Sequence, residues 1–431
     1  MSHAAEDRDL VALRRDLHRH PEPAWREFRT TSRIVDELER LGFGVEDDRE
    51  VYVGREILAE DERMGVPDDE EIAEWYEAAR EAGAREDVLA KTEGGYTGAL
   101  AVLRRGEGPT IGLRVDIDGL PRREAEGDDH APAAEGFRSE TGAMHACGHD
   151  AHVTFGLGVL ESILESGFAG TLKVIFQPAE EVIGGGKAVA ESGHLDDCDY
   201  LLAAHVGLDH PTGEVVAGID GFLAVHHFEA TFTGEPAHAG ADPGDGRNAN
   251  QALATAVQNL YAIPRHQDGA TRVNAGIVEG GSATNIVAEE ARVEGEVRGE
   301  TTDLKEYMRE RAIRVLESAA EMHACEVDVG TAGEAPSARS DDAVTDLVYD
   351  VAGGVEGVDS LVRSDDLGGS EDATYLMRRV QERGGKACYV GVGTDHPGGH
   401  HTATFDVDEA SLPVGVDVLA RTVLRLADER P

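Results

Sequence analysis

The chain has 431 residues, with 85 Asp plus Glu against 40 Lys plus Arg and a formal net charge of −45. So large a negative charge excludes a nucleic-acid binder or an anionic-membrane binder, both of which need a basic face. A 40% hydrophobic content excludes a disordered chain. The length predicts two or three domains at ~150 residues each. The acid excess is spread over the whole chain, and only five of the basic residues are Lys. Such a surface stays soluble where ~1 M salt shrinks the Debye length to ~3 Å, so the composition points to a high-salt cytosol. Cys147, Cys198, Cys325 and Cys388 are too few and too far apart for a disulfide framework. The start, Met1 to Asp9, is acidic without an apolar signal core, and no apolar run approaches the ~20 residues that span a bilayer. The expectation is a cytoplasmic protein with no membrane and no nucleic-acid partner.

In chain order, Leu10, Leu13 and Leu17 share one helical face, and Ile34, Leu38 and Leu41 share another before a stop at Gly42. Residues 49–95 differ in character. Pro67 followed by Asp68, Asp69, Glu70 and Glu71 starts a helix, Ile72, Trp75, Tyr76 and Ala79 fall at helical spacing, and Gly83 closes it. The reading is a helical insertion on a larger domain. Ala99–Leu103, Thr110–Val115, Thr171–Phe176 and Tyr200–Ala204 are short apolar runs rich in branched residues, and Val153, Leu157, Leu160 and Leu164 mark a long helix between them. Strands alternating with helices predict an α/β domain with a mostly parallel sheet flanked by helices.

From about Gly221 the order changes to strand 225–233, helix 248–262, strands 272–278 and 291–298, helix 303–322 and strand 326–329. This β-α-β-β-α-β order is that of an inserted ferredoxin-like α+β domain. The α/β patterning resumes from about Ala343. The expected organisation is a principal domain in two parts, 1–219 and 331–431, around an inserted domain at 220–330.

Four segments put metal-type ligands at the ends of predicted strands. Cys147 and His149 stand two apart before a helix, Glu180 and Glu181 follow an apolar strand, His205 closes another strand, and His400-His401 follow a glycine loop. A thiolate, imidazoles and a carboxylate suit a divalent metal. Adjacent carboxylates can divide labour, one binding metal and the other moving the proton of a water. Each segment also has a structural alternative: a buried Cys beside a capping His, an acidic pair opening a helix, a structural His after a strand, and solvent-facing His in a loop.

Taken together, these segments resemble the metal-dependent amidohydrolase and carboxypeptidase superfamily of aminoacylases, hippurate hydrolases and auxin-conjugate hydrolases. The resemblance is carried, in order and over nearly the whole chain, by residues 17–22, 113–121, 144–152 and 176–181, by Ser370-Glu371-Asp372, and by 401–413. It implies two divalent metal ions, Mn or Zn, ligated by Cys147, His149, Glu181, His205 and His401, with Glu180 as general base. His401 is matched rather than His400 because it lies four residues before Phe405. Asp118 and Asp150, in neighbouring motifs, are assigned supporting positions behind the ligands. The ferredoxin-like insertion matches the superfamily's lid and dimerisation domain. His238, in Ala237-His238-Ala239-Gly240, is thereby implied to reach a partner's site, where it binds substrate and polarises the scissile carbonyl. Asn285 and Arg298 are implied to hold the substrate carboxylate or oxyanion. A homodimer or a dimer with a related subunit follows from the same resemblance.

Residues 49–51, 63–68 and 93–98, absent from the hippurate-hydrolase type, with Gly369-Ser370-Glu371-Asp372-Ala373-Thr374, are similar to the A-subunit branch of the p-aminobenzoyl-glutamate hydrolases. The implied function is metal-dependent cleavage of an N-acyl amino acid, p-aminobenzoyl-glutamate giving p-aminobenzoate and glutamate. The alternatives are a broad N-acyl-amino-acid or hippurate-type amidohydrolase and an inactive metal-bound regulatory subunit. Thr402-Ala403-Thr404 departs from a Pro-containing stretch of the wider superfamily, although the ligand spacing holds. Because substrate and protein are both anionic, a local Arg such as Arg298 has to dominate the field of the site.

Overall fold

The computed structural model describes residues 9–431; the acidic start of the chain read above lies outside them up to Arg8. The helices are α1 (Leu10–Arg19), α2 (Phe28–Arg40), α3 (Asp69–Glu81), α4 (Glu86–Thr92), α5 (Ala131–Ala134), α6 (His149–Leu164), α7 (Gly186–Ala190), α8 (Ala249–Tyr261), α9 (Thr302–Met322), α10 (Asp342–Ala352), α11 (Ala373–Glu382) and α12 (Ser411–Glu429). The strands are β1 (Arg49–Val53), β2 (Ala99–Arg105), β3 (Thr110–Asp116), β4 (Gly170–Gln177), β5 (Tyr200–Val206), β6 (Glu214–Asp220), β7 (Ala224–Thr233), β8 (Thr271–Gly280), β9 (Glu290–Gly299), β10 (Glu326–Ala335), β11 (Ser360–Asp366) and β12 (Lys386–Val392).

Two compact units result. The first gathers the chain up to Asp220 with Ala338–Leu367 and Asp372–Pro431, and the second holds Gly221–Ser337 with Gly368–Glu371. The first unit is an eight-stranded, mostly parallel sheet in the order β1-β2-β4-β3-β5-β12-β6-β11, flanked by helices. Its central block β4-β3-β5-β12 is parallel. The pair β6 and β11 is parallel within itself but runs against β12. A sheet covered on both faces needs apolar strands throughout, and β5 is buried at every residue. Helix α6 is buried continuously from His149 to Leu160, as befits a helix packed inside the fold. The parallel block ends in Asp116, Gln177, Val206 and Val392, which puts their following loops at one carboxyl edge, where α/β sheets build their sites.

The insertion at 49–95 is not helical throughout. Arg49–Val53 forms β1 and pairs antiparallel with β2, extending the main sheet. Val51 and Val53 supply a period-2 pattern that a helix-oriented reading of the segment passes over. The rest of the segment does pack as helices, with Ile72, Ala79, Leu89, Trp75 and Tyr76 against Phe28.

The second unit is a four-stranded antiparallel sheet in the order β10-β7-β9-β8. Helices α8 and α9 bury Leu253, Leu260, Met308 and Leu316 against Phe228, Phe232 and Val293. β10 runs on to Ala335, past the boundary at 330 drawn from sequence. Among the described residues, no helix is long and apolar enough to cross a membrane.

Candidate metal centre

The donors converge at the carboxyl edge of the first unit. Gly148 takes φ +88° at the start of α6, and a Cβ there would meet Val206 Cγ1 at 2.4 Å. The tight turn this allows puts Cys147 and His149 on either side of Gly148. His205 comes from the end of β5. Glu180 and Glu181 occupy the turn after β4 rather than the start of a helix, with Ala179 at φ 58° and Ile183 at φ 54°. His401 sits at φ 60° in the loop after β12, its N–H donating to the Ala146 carbonyl at 2.8 Å. Ligand-type atoms of Cys147, His149 and His205 lie within 4.8 Å of one another, and so do those of Cys147, Glu181 and His401 and those of His149, Glu180 and Glu181. Cys147 belongs to two of these sets.

Hydrogen bonds decide which imidazoles have a lone pair to offer. His205 Nδ1 donates to the Val206 carbonyl at 2.7 Å, so its Nε2 is bare and faces the Cys147 sulfur at 3.5 Å. His149 Nδ1 donates to Asp118, to the carbonyl at 3.0 Å and to Oδ1 at 3.2 Å. Its Nε2 is buried with no hydrogen-bond partner, and Asp116, Glu181 and Glu180 oxygens stand 3.7, 3.9 and 4.0 Å away. His152 has nothing to offer, because Nε2 accepts from Val206 N at 2.8 Å and Nδ1 binds Asp116. His401 Nε2 stands 3.4 Å from Glu181, with its side chain 58% exposed at the rim.

The electrostatics favour a cation in this pocket. Burial pulls His149 down, but the charge of Asp116 and the hydrogen bond to Asp118 outweigh it and hold the ring well above its ordinary range. Burial, then the rings of His152 and His400, hold His205 well below its ordinary range, so it is a neutral imidazole. Burial and the Glu181 charge push the Cys147 thiol up to about 12. A thiol so placed ionises only beside a positive charge, and sulfur, imidazole and carboxylate donors match divalent transition metals. The residues present therefore fit a metal.

Asp118 is one of the two supporting carboxylates expected from sequence. It holds His149 and also accepts the Glu181 N–H at 2.9 Å. Asp150 is turned away from the donors. It pairs with Arg14 at 2.7 Å and His18 at 2.8 Å behind α6. Three further side chains given no role from sequence, two of them within segments that carry the resemblance, frame the Glu180–Glu181 turn. Asp372 accepts from Gln177 at 2.7 Å, Gly186 N at 2.6 Å, Gly185 N at 3.1 Å and Arg114 at 3.2 Å. Arg114 also pairs with Asp116 at 2.8 Å. Glu27 accepts the Ala179 N–H at 2.8 Å, and burial with the Asp118 charge raises its pKa.

Behind α6, His18 lies between Asp150 and Glu124, its two nitrogens 2.8 and 2.9 Å from them. Burial and the Arg14 charge lower its pKa, but the hydrogen bonds to Asp150 and Glu124 prevail and raise it to about 9. A folded pKa above the unfolded value gives stability that is complete below pH ~6.5 and fades as pH rises through about 9. The expected result is up to ~3 kcal/mol of stability lost across that window, measured by denaturant unfolding, and a flatter pH profile for His18→Gln.

In the second unit, His238 is exposed, and its Nδ1 accepts from Gly240 N at 3.1 Å and Ala241 N at 3.0 Å. Its proton therefore sits on the outward Nε2. Asn285 is exposed nearby, its carbonyl accepting the Ala239 N–H at 2.9 Å. Arg298 is not a free cation. It binds Glu296 through two hydrogen bonds of 2.9 Å each and reaches Ser370 at 3.3 Å. The His227 hydrogen bond, with Arg298, holds Glu296 down at about 2, so the pair is nearly neutral as a unit.

Known proteins share this arrangement of chain and fold. Residues 112–425 match the model of peptidase family M20/M25/M40. The chain is 41% identical to the indole-3-acetyl-aspartic acid hydrolase of Enterobacter agglomerans, covering 98% of this chain and 97% of that one. It is also 41% identical to one of the named subunits, the A-type, of the p-aminobenzoyl-glutamate hydrolase of Escherichia coli K12, covering 96% and 95%. The crystal structure of the aminobenzoyl-glutamate utilization protein of Klebsiella pneumoniae superposes with a TM-score of 0.83 at 36% identity, covering 97% and 96%. This chain belongs to peptidase family M20/M25/M40 and is an amide-bond hydrolase.

Proposed function

We propose that this hydrolase cleaves p-aminobenzoyl-glutamate to p-aminobenzoate and glutamate, using two divalent ions held by Cys147, His149, Glu181, His205 and His401. The observation that carries the reading is the convergence of these donors, with Cys147 in two sets, around a buried His149 Nε2 that has no hydrogen-bond partner. Mixed sulfur, nitrogen and oxygen donors suit zinc, and manganese is the other candidate. The chemistry such ions supply when bound is Lewis-acid polarisation of a carbonyl and a lowered pKa for water.

The chain's own residues do the rest. Glu180 accepts the proton of the attacking water and returns it to the nitrogen of the departing amino acid. Asp118 keeps His149 and Glu181 aimed. The outward Nε2–H of His238 is the proposed donor to the carbonyl oxygen as charge develops there. Asn285 and Arg298 are the proposed substrate contacts, Arg298 acting through the N–H groups that Glu296 leaves available.

The named substrates of the two 41% identical relatives share one chemistry, an aromatic acyl group on an acidic amino acid. This supports a conjugate of that class, with indole-3-acetyl-aspartate as the second reading. The purified chain, in high salt with manganese or zinc, is expected to turn over p-aminobenzoyl-glutamate with a higher kcat/KM than indole-3-acetyl-aspartate, hippurate or an N-acetyl amino acid. Preference for hippurate would move the substrate to simple acyl-glycines. Absence of turnover of all four would make this chain one component in need of a partner, as the name of the Escherichia coli relative allows. A dimer built through the second unit, a cytoplasmic location and a high-salt habitat complete the proposal. The habitat rests on the net charge of −45.

A further inference from the structure

We propose that His400 is a positioning residue that donates an N–H···S hydrogen bond to Cys147, while its neighbour His401 ligates metal. The inference rests on the metal-centre reading above. The two histidines are adjacent in sequence and both approach the donors, yet their hydrogen bonding divides them. His400 Nε2 accepts the Leu208 N–H at 3.0 Å. An accepting Nε2 carries no proton, so in the neutral ring the proton is on Nδ1. Nδ1 lies 3.5 Å from the Cys147 sulfur, within reach of an N–H···S contact. With one nitrogen accepting and the other donating, His400 has no lone pair left for a metal. His205 shows the opposite pattern, Nδ1 donating to a carbonyl and a bare Nε2 facing the same sulfur.

The pocket around His400 is built to hold this orientation. Its ring packs between His396 at 4.9 Å, Phe405 at 4.8 Å and His205 at 5.4 Å, centroid to centroid. Gly207 takes φ +86°, and a Cβ there would meet His400 Nε2 at 2.6 Å. Glycine therefore clears the approach that lets the Leu208 N–H reach the ring. A hydrogen bond to a thiolate draws charge from the sulfur and stabilises it, and the effect is greatest in a buried site. Cys147, in two of the donor sets, is where such tuning counts most.

Cobalt(II) titration tests this, because a thiolate–cobalt charge-transfer band reports directly on the sulfur. The variants are His400→Leu, which removes the donor, and His400→Asn, whose amide nitrogen takes the Nδ1 position. His400→Leu is expected to bind as many cobalt ions per chain as wild type, ~10–100-fold more weakly, with the band moved to longer wavelength. His400→Asn is expected to restore the affinity and the band. Should the Leu variant fail to fold by circular dichroism, His400→Gln displaces the donor by one bond and is expected to show the same red shift. An unchanged band and affinity in His400→Leu or His400→Gln would overturn the proposal. So would loss of one cobalt equivalent, which would make His400 a ligand. Absence of any thiolate–cobalt band in wild type would instead overturn the metal-centre reading beneath it.

Discussion

Glu180→Gln is expected to lower kcat by ~10²–10⁴-fold while metal content and unfolding midpoint stay at wild-type values. The two adjacent carboxylates are proposed to divide the work. Glu181 is bound on both sides, its N–H held by Asp118 at 2.9 Å and its carboxylate 3.4 Å from His401. It shares a donor set with Cys147 and His401. Glu180 stands 4.0 Å from His149 Nε2, as Glu181 does at 3.9 Å, but joins no donor set with Cys147 or His401 among the described residues. The amide of glutamine conserves volume and hydrogen bonding but cannot take a proton, so the loss should fall on kcat with little change in KM. Glu181→Gln should behave differently, losing bound metal along with activity. Metal analysis beside steady-state kinetics separates the two, and a Glu180→Gln enzyme that turns over like wild type would remove the general-base assignment.

Asp372→Ala is expected to destabilise the first unit by ~3–5 kcal/mol, as measured by denaturant unfolding of that unit. Asp372 is fully buried and accepts from Arg114, Gln177, Gly185 N and Gly186 N. Truncation strands two backbone N–H groups and weakens the compensation of a buried guanidinium, and each such loss is costly where water cannot replace the partner. Arg114 keeps its bond to Asp116 at 2.8 Å, which limits the damage. The same change loosens the turn bearing Glu180 and Glu181, so kcat should also fall, with the metal bound less tightly. Asp372→Asn keeps the shape and should recover part of the stability but not the charge pairing with Arg114.

Much of this was legible in the residues. The ferredoxin-like order emerged from periodicity, because β7 and β9 alternate buried and partly exposed residues and α8 and α9 each bury one face. The parallel strands β3, β4 and β5, and β2 antiparallel beside them, were marked by dense runs of Val, Ile and Leu. The five expected ligands converge because His205 closes β5, Cys147 and His149 flank the start of α6, and Glu181 and His401 lie in the turn after β4 and the loop after β12 at the same carboxyl edge. What sequence missed depended on three-dimensional neighbours. β1 was hidden because Arg49 and Glu50 open a strand whose few apolar residues sit inside an acidic, helix-rich insertion. Asp372 and Arg114 lie in segments that carry the resemblance, but their pairing with each other, and the role of Glu27, join residues distant in the chain; a buried Arg inside the apolar strand β3 is a hint that a carboxylate must come to meet it. Arg298 was expected to dominate the field of the site; Glu296, two residues away on the same face of β9, engages it. The spacing to Phe405 singles out His401 as the ligand, but the role proposed for His400 is invisible in sequence, since it is set by the backbone N–H of Leu208.

The most direct test of the central claim is hydrolysis of p-aminobenzoyl-glutamate by the purified chain after chelation and after reloading with manganese or zinc, in high salt. Chelation is expected to abolish release of p-aminobenzoate while the fold persists, and activity is expected to return as two equivalents of metal per chain bind. Hydrolysis that survives complete removal of metal, or saturating metal on the purified chain with no release of p-aminobenzoate, would contradict the central claim.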